Sequence, residues 1–309
     1  MIVCLVIAFL SGALVPVQTA ANSRLRSAVG FVYVSTLISF AVSTLSLVAV
    51  SLAIGAPLIP TAAQAEATPW WLWAGGIIAL GTITANILLF KAIGQLQAMV
   101  FPVFGQLAFS LAIDHFGLFG SRVIPITSLR LLGMGVVVAG VFLIAVLPNM
   151  GRWKSGTAGG ILVQTSWQTL GIVAGMLMAS IGAIYARLGI ALGSPLQATT
   201  VSFVIATTAI VLFCAATGNI RAVGGAFRRD RPWWMWMGGI IGAAAVFVNS
   251  WCIPVVGVGL FSVALLLGQM VESLGMEHNG WFGAPRKPIR AVHVLGIVLM
   301  LCGVALIRL

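Results

Sequence analysis

The segment Pro69–Ile78 reads Pro-Trp-Trp-Leu-Trp-Ala-Gly-Gly-Ile-Ile, and the segment Pro232–Ile241 reads Pro-Trp-Trp-Met-Trp-Met-Gly-Gly-Ile-Ile. The two segments lie 163 residues apart, and the same shift aligns further identical residues without a gap. These identities include Arg24-Leu25 with Arg187-Leu188, Asn86 with Asn249, Gly105-Gln106 with Gly268-Gln269, His115 with His278, and Gly140-Val141 with Gly303-Val304. So many identities at one constant shift, without a gap, are not expected by chance. The chain therefore contains two copies of one unit.

The composition is that of a membrane protein. Of the 309 residues, 61% are hydrophobic and 7% are charged, and the mean hydropathy is +1.14. Soluble domains carry about 25% charged residues. The net charge of +11 would suggest a nucleic-acid partner in a soluble protein, but here basic loops that set the membrane topology explain it. Binding of anionic lipid or an anionic solute is the alternative reading of the same charge.

The apolar segments predict an all-α, polytopic fold with ten transmembrane helices. A bilayer core of about 30 Å needs roughly 20 mostly apolar residues, and five such segments fit each copy. The first copy occupies residues 1–147, the linker 148–163 and the second copy 164–309. The predicted helices are 2–21, 31–54, 71–90, 96–113 and 124–147, then 164–185, 195–217, 234–253, 256–275 and 289–307.

Five helices per copy is an odd number, so the second copy must enter the membrane from the opposite side. The basic residues support this independently. Alternate loops place twelve Lys and Arg residues on one face and four on the other, with Arg130 counted among the four. The positive-inside rule then puts both termini outside the cytoplasm and predicts two inverted repeats.

Polar side chains within the apolar segments are the candidate binding residues, because such groups are costly in a membrane. Asn86 and Asn249 are equivalent positions in predicted helices three and eight. Gln106 and Gln269 are equivalent positions in predicted helices four and nine. Inverted repeats place equivalent residues around an axis near the midplane, where transporters bind their substrates. Hydrogen bonding between helices is the other explanation, and the two roles are compatible.

Glu272 has no acidic counterpart, since the equivalent residue is Phe109. It is expected to be the most buried acid of the chain, because Asp114 and Glu277 lie at predicted helix ends. A carboxyl group in an apolar cavity suits a proton-coupling site. Pairing with a basic group near the cytoplasmic interface is the alternative.

The tryptophan-rich segments and the two Asp/Glu-His pairs have simpler explanations than ligand binding. The tryptophans are expected to anchor helices at the membrane interface, with an aromatic cage for a cation as the alternative. Asp114-His115 and Glu277-His278 could bind a metal or relay protons, but one pair at each membrane face provides too few ligands. A re-entrant or interfacial turn, stabilised by caps and aromatic residues, is expected at each pair.

No catalytic motif is present in the sequence. It contains no phosphate-binding glycine loop, no His-Glu-x-x-His and no nucleophile elbow. The four cysteines, Cys4, Cys214, Cys252 and Cys302, have no paired spacing and are expected to act as small hydrophobic residues. We therefore predict no enzyme activity, no cofactor and no metal, and any energy must come from a solute or ion gradient.

Two stretches carry a family resemblance. The run Asp114-His115-Phe116-Gly117-Leu118-Phe119-Gly120, and Arg187-Leu188 followed by Gly193-Ser194-Pro195, resemble the YdcZ-type inner-membrane exporters of the drug/metabolite transporter superfamily. The resemblance covers nearly the whole chain and implies a fused, two-copy member with five helices in each copy. A related group, the small multidrug exporters, uses a membrane-embedded Glu in its first helix, where this sequence has Gln18. The proton/cation antiport mechanism of that group is therefore not implied here.

These observations predict a secondary transporter that exports a small metabolite or amphipathic compound. Alternating access would occur around a midplane site built from Asn86, Asn249, Gln106 and Gln269, with Glu272 nearby. The alternatives are a membrane subunit that binds a partner or lipid without transporting, and a lipid-head-group flippase. The expected partners are a small-molecule substrate and the lipid bilayer, with no nucleic acid, and a homodimer is left open.

Overall fold

The computed structural model describes residues 1–147, 160–227, 232–283, 286 and 288–308, so most of the predicted linker lies outside the described residues. The helices are α1 (Ile2–Val29), α2 (Val32–Ala53), α3 (Ala62–Ala67), α4 (Gly75–Phe116), α5 (Ser128–Val141), α6 (Gly160–Ala191), α7 (Pro195–Ala216), α8 (Met237–Val256), α9 (Val258–Asn279) and α10 (Ala291–Arg308). Short 3₁₀ turns, including Trp70–Ala74, Leu118–Gly120, Trp233–Trp236 and Trp281–Gly283, connect them. The described part of the chain contains no strand.

Many of these helices have the length and composition of membrane spans. Within the described residues, seven helices are long and apolar enough to cross a bilayer. Three further apolar stretches are shorter, namely Trp70–Thr82, Val100–Phe116 and Ser128–Ile144. The all-α class and the membrane location predicted from composition are confirmed at this level.

The long helix α4 doubles back on itself. The sequence predicted two helices here, whereas the helical assignment runs through all 42 residues from Gly75 to Phe116. A straight helix of that length would span about 63 Å. Yet the rings of Trp71 and Phe119, which flank α4, lie 5.9 Å apart, and Leu89 and Phe101 both approach Gly171. The chain therefore reverses between Leu89 and Phe101, and α4 is a pair of antiparallel arms.

Helices of one sequence copy pack mainly on helices of the other. In the first bundle, α1 and α2 of the first copy pack on α8 and α9 of the second copy. In the second bundle, α6 of the second copy packs on both arms of α4, and α7 packs on the first arm. The remaining helices, α5 and α10, pack on each other. The sequence copies are therefore interlocked and are not the packing units of the structure.

Equivalent glycines make equivalent close contacts in the two bundles. A Cβ atom at Gly175 of α6 would collide with the Pro102 carbonyl of α4, and one at Gly12 of α1 would collide with the Leu265 carbonyl of α9. The 163-residue shift relates the two contacts, since it aligns Gly12 with Gly175 and Pro102 with Leu265. Absent side chains let two helix backbones meet, which is the usual way that helices associate in lipid.

The same repetition extends to the contacts between the remaining helices. On α5 and α10, Gly133 lies against the Gly303 carbonyl and Gly140 against the Gly296 carbonyl. Between α2 and α7, the hydroxyls of Thr44 and Thr207 lie 2.9 Å apart, and these two residues are separated by 163 positions. Equivalent positions of the two copies are therefore in direct contact here.

The glycine contacts predict a specific sensitivity to added methyl groups. Gly175→Ala places a methyl group against the Pro102 backbone, so we expect overpacking to cost about 1–3 kcal/mol. Gly81→Ala is the matched control, because nothing lies within 4 Å of its Cβ position on α4. In detergent, the midpoint temperature of thermal unfolding should be lower for Gly175→Ala than for wild type. The midpoint of Gly81→Ala should not be lower than that of wild type. Equal midpoints for the two variants would contradict the close helix contact.

Candidate functional site

Gln106 and Gln269 lie beside the two backbone crossings. Gly105 packs against Ile172 of α6, and Gly268 packs against Phe9 of α1. Both glutamines follow these glycines directly and are half-buried. Each glutamine therefore lies in a different bundle. Their convergence into one midplane site remains a prediction.

Asn249 lies on the face of α8 that packs against α1. Gly238 and Gly242 share that face, since positions 4 and 11 residues apart point the same way on a helix. The Oδ1 atom of Asn249 is buried and has no hydrogen-bond partner within the described part of the chain. The side chain of Asn86, the equivalent residue, lies outside the described residues.

The polar groups of α1 meet these glycines of α8. Asn22 Oδ1, also buried and without a hydrogen-bond partner among the described residues, lies against Gly238. A Cβ atom at Gly242 would lie 2.7 Å from Gln18 Nε2. At the other end of the same pair of helices, the buried thiols of Cys4 and Cys252 lie near each other. We call the contact between α1 and α8 that contains Gln18, Asn22, Gly238, Gly242 and Asn249 the polar seam.

The expectation that Glu272 is the most buried acid is wrong for the described residues. Glu272 is half-buried, whereas Asp114 is 0% exposed. Glu272 lies one helical turn after Gly268, on the α9 face that contacts α1. Asp114 is shielded from solvent by elements that are distant in sequence. Its position near a helix end does not reveal this burial.

Asp114 joins the end of α4 to the beginning of α9. Its Oδ1 accepts the N–H of Val258 at 2.7 Å, and its Oδ2 accepts the N–H of Gly259 at 2.9 Å. These two N–H groups have no partner within α9, so a carboxylate there satisfies them and also interacts favourably with the helix dipole. Gly257, at φ 85°, makes the turn that leads from α8 to α9. A Cβ atom at Gly257 would lie 2.9 Å from Asp114 Oδ2.

Arg130 is a buried residue of α5. The sequence analysis counted it among the basic residues of the loops, and that assignment is wrong. It is 5% exposed, and its Nη2 lies 3.4 Å from Asp114 Oδ2. Its Nη1 donates to the carbonyls of Ile124 at 3.0 Å and Pro125 at 3.3 Å. Its Nε has no partner within the described part of the chain. We call Asp114, Arg130 and the first residues of α9 the carboxylate clamp.

His115 supports the same turn. Its Nδ1 accepts the N–H of Ile126 at 3.1 Å, and the N–H of Ile124 donates to the Asp114 carbonyl at 2.7 Å. The Asp-His pair thus holds the connection between α4 and α5 against the end of α4. The sequence signal for the clamp was an Asp after a helical run, an Arg 16 residues later, and a Gly-Val-Gly sequence far along the chain.

The tryptophan segments pack on the turns that follow the helical hairpins. Trp71 contacts Phe119, and Trp234 contacts Phe282, with ring centroids 5.9 and 5.3 Å apart. Phe119 and Phe282 are the two non-glycine residues with positive φ in the described chain, at 58° and 53°. Trp70 is 81% exposed while Leu72 is buried, so the outermost ring is available to lipid head groups. This pattern fits the interfacial role expected for the tryptophans.

Comparison with known proteins gives a family. A family model described as "Putative inner membrane exporter, YdcZ" matches residues 3–143 and again residues 166–306. The chain belongs to the YdcZ family. No curated protein matches. A solved crystal structure superposes with a TM-score of 0.65 over 99% of this chain and 98% of the other, at 18% sequence identity. At that identity the likeness shows the fold alone.

As a fused, two-copy member of the YdcZ family, the chain carries each position of the unit twice. The clamp residues are not duplicated: Asp114 corresponds to Glu277 and Arg130 to His293. Gln18 and Asn22 of the seam are not duplicated either, since Gln18 corresponds to Ile181 and Asn22 to Tyr185, whereas Asn249 corresponds to Asn86. The two copies have therefore diverged at some of the positions where polar side chains lie between helices.

The clamp predicts a large stability loss when one charge is removed. Asp114→Asn leaves Arg130 buried without an ion partner, which should cost about 3–5 kcal/mol. The double variant Asp114→Asn/Arg130→Met should be more stable than Asp114→Asn alone, because no uncompensated charge remains.

Thermal unfolding in detergent measures this cycle, with Glu66→Gln as a control that removes an exposed acid. An Asp114→Asn variant that unfolds at the wild-type temperature would show that the ion pair contributes nothing.

Proposed function

We propose that the protein is a secondary transporter that exports a small metabolite or amphipathic compound across the inner membrane by alternating access. Membership of a family described as inner membrane exporters supports the general activity. The observation that carries the mechanism is the interlocking of the two copies into two bundles related by reciprocal contacts. Such an arrangement gives two similar bodies around a shared axis, as alternating access requires.

The clamp supports an inverted orientation of the two copies. Asp114 lies next to the Trp71–Phe119 contact of the first copy, and it binds the beginning of α9 in the second copy. The equivalent contact, Trp234–Phe282, lies beyond the other end of α9. The 22 residues of α9 rise about 33 Å, close to the thickness of a bilayer core. The two tryptophan segments then face opposite sides, as ten crossings in inverted repeats would require.

The distribution of basic residues supports a topology in which the side of the protein opposite the clamp lies in the cytoplasm. With Arg130 buried, the basic residues on the clamp side that are exposed are Arg122, Arg187 and Arg308. The sequence places twelve basic residues on the opposite side. The proposed topology therefore puts both termini and the clamp outside the cytoplasm.

Reporter fusions test this topology. Alkaline phosphatase fused at either terminus should be active and green fluorescent protein at either terminus should be dark, because the first needs export and the second needs the cytoplasm. A fusion after Phe227, within the basic loop, is the internal control and should show the reverse pattern. Two termini on different sides would contradict an even number of crossings.

The moving bodies in this proposal are the two bundles and not the two sequence copies. Between the bundles, the Ser250 hydroxyl of α8 donates to the Tyr185 carbonyl of α6 at 2.9 Å, and the clamp joins α9 to α4. Both contacts lie at the end of α8 and α6 that we place outside. The rings of Tyr33 in α2 and Phe213 in α7, with centroids 4.8 Å apart, join the same two bundles at the side that we place in the cytoplasm.

Flux measurements test the proposal directly. Proteoliposomes loaded with a panel of small metabolites, with and without a pH gradient, should show saturable flux for at least one solute. If Glu272 couples protons, Glu272→Gln should abolish the dependence on the gradient, since the amide cannot titrate. Glu66→Gln is the matched control, because Glu66 is an exposed acid outside the spans.

Each result is decisive for one part of the proposal. Gradient-dependent flux that survives in Glu272→Gln excludes Glu272 as the coupling residue and leaves the transporter intact. No flux of any solute, in protein that unfolds cooperatively, would contradict transport and favour a partner-binding or lipid-handling role.

A further inference from the structure

One face of α1 changes along the helix from apolar and buried to polar and exposed. Positions three or four residues apart share a face of a helix. The face in question carries Ala8, Gly12, Val15, Thr19, Ser23 and Arg26. Ala8 and Gly12 are buried and Val15 is half-buried, whereas the last three residues are exposed. We call Thr19, Ser23 and Arg26 the inner stripe, because they lie on the half of α1 that ends at the side we place in the cytoplasm.

The inner stripe does not face the lipid. Leu10 precedes Thr19, and Leu14 precedes Ser23, by nine residues. Nine residues make about 2.5 turns, so the two leucines lie on the opposite face of α1. Both leucines are exposed, at 55% and 44%, as side chains in contact with lipid tails are. In the other half of α1, α9 covers the face of the inner stripe, since Gly12 packs there against α9. The inner stripe therefore points into the protein, and its exposure indicates an opening towards the cytoplasm.

The equivalent stripe of α6 is closed. The shift of 163 residues relates the inner stripe to Gly182, Ala186 and Gly189, all of which are buried. A Cβ atom at Gly182 would lie 3.1 Å from Cδ1 of Ile253 in α8, and one at Gly189 would collide with the Ser250 hydroxyl of α8. This contact joins the two bundles at the ends of α6 and α8 that we place outside.

The corresponding contact on the cytoplasmic side would bring α1 against the first arm of α4. Among the described residues, α1 has no packing on α4 that is comparable with the packing of α6 on α8. Elsewhere the two sides are alike, because α2 and α7 remain in contact on both, through Tyr33 with Phe213 and through Leu47 with Phe203. A pair of equivalent contacts that is closed on one side and open on the other is the asymmetry that alternating access requires.

The fold does not require polar groups at the positions of the inner stripe, since α6 closes on α8 with glycine and alanine there. Thr19 lies ten residues before the end of α1 at Val29, which is about 15 Å, or half of a bilayer core. Its hydroxyl donates to the Val15 carbonyl at 2.9 Å, and its oxygen can still accept a hydrogen bond. Polar and charged side chains at such depths are costly unless they face water or a partner. The inner stripe therefore indicates a path that is open to water.

We propose that the transported solute is hydrophilic and enters from the cytoplasm through a water-filled path between α1 and the first arm of α4, along Thr19, Ser23 and Arg26. The contact of α6 with α8 closes the corresponding path on the outer side. An amphipathic compound dissolved in the bilayer would instead approach the leucine face of α1. This inference rests on the proposed transport function and assigns the entry route and the class of solute.

Cysteine accessibility tests the route without knowledge of the solute. Thr19→Cys and Ser23→Cys would be treated in inside-out and right-side-out membrane vesicles with 2-sulfonatoethyl methanethiosulfonate, which is hydrophilic and does not cross membranes. Leu14→Cys is the control for the lipid face, and Ala186→Cys is the matched control in α6. Wild type, in which Cys302 is the exposed cysteine among the described residues, gives the background. The mass of the purified protein reports the labelling.

The inference predicts that Thr19→Cys and Ser23→Cys are labelled in inside-out vesicles, since water reaches both positions from the cytoplasm. Leu14→Cys and Ala186→Cys should stay at the wild-type background there, because one faces lipid and the other is packed against α8. The solute class is tested in proteoliposomes with radiolabelled D-glucose, L-glutamate and putrescine, and with rhodamine 6G as an amphipathic probe. We expect flux of a hydrophilic probe, and loss of that flux after Ser23→Cys has been labelled.

Four results would overturn the inference. Thr19→Cys and Ser23→Cys that stay unlabelled in folded protein with measurable flux would refute the path and leave the transporter in place. Labelling of Leu14→Cys to the same extent would show that the reagent does not distinguish the path from the lipid face. Flux of rhodamine 6G alone would refute the hydrophilic class of solute. No flux of any probe, in protein that unfolds cooperatively, would refute the proposed function itself.

Discussion

Backbone-to-backbone contact between the two copies is the constraint on which the rest of this structure depends. Lipid offers helices no hydrophobic reason to associate, so they must approach closely enough for dispersion and polar contacts to operate. Gly12, Gly105, Gly175 and Gly268 allow that approach at equivalent crossings, each between helices of different copies. Because glycine has no side chain, two helices of each copy can pack closely against helices of the other copy at these points. The bundles, the seam and the clamp all follow from that exchange.

The carboxylate clamp shows how a buried acid is tolerated in such a setting. A charged side chain in an apolar environment is costly unless it is paired and hydrogen-bonded. Asp114 obtains two backbone N–H donors from the beginning of α9 and an ion partner from Arg130. Gly257 leaves the space that the carboxylate occupies. The result ties α4, α5 and α9 together at one side of the protein.

The two halves of the fold share a backbone plan and differ in the chemistry placed on it. Duplication produces equivalent contacts, seen in the Thr44–Thr207 hydrogen bond and in the paired Trp–Phe contacts. Divergence then replaced residues at one of each pair of equivalent positions, as with Asn22 and Tyr185. A single chain can do this, whereas a dimer of identical subunits cannot. Asymmetry in a fused repeat is therefore a useful pointer to a binding site.

The sequence by itself determined the duplication, the membrane location, the helical class and the family. Each of these depends on local composition or on residues at a constant spacing, which are visible without a structure. The approximate positions of the apolar helices follow for the same reason. Even the tryptophan anchors could be placed, because an aromatic triplet at the end of an apolar run has few alternatives.

The tertiary structure alone decided which helices are neighbours. The sequence suggested that each copy forms a unit, whereas α1 and α2 pack on α8 and α9. From the sequence, Glu272 was expected to be more buried than Asp114, and the structure shows the reverse. The burial of a residue at a helix end depends on which other parts of the chain pack against that end. Arg130 was counted with the loops for the same reason. Hydrophobic length is a local property, but the choice of packing partner is set by shape and small residues far apart in sequence.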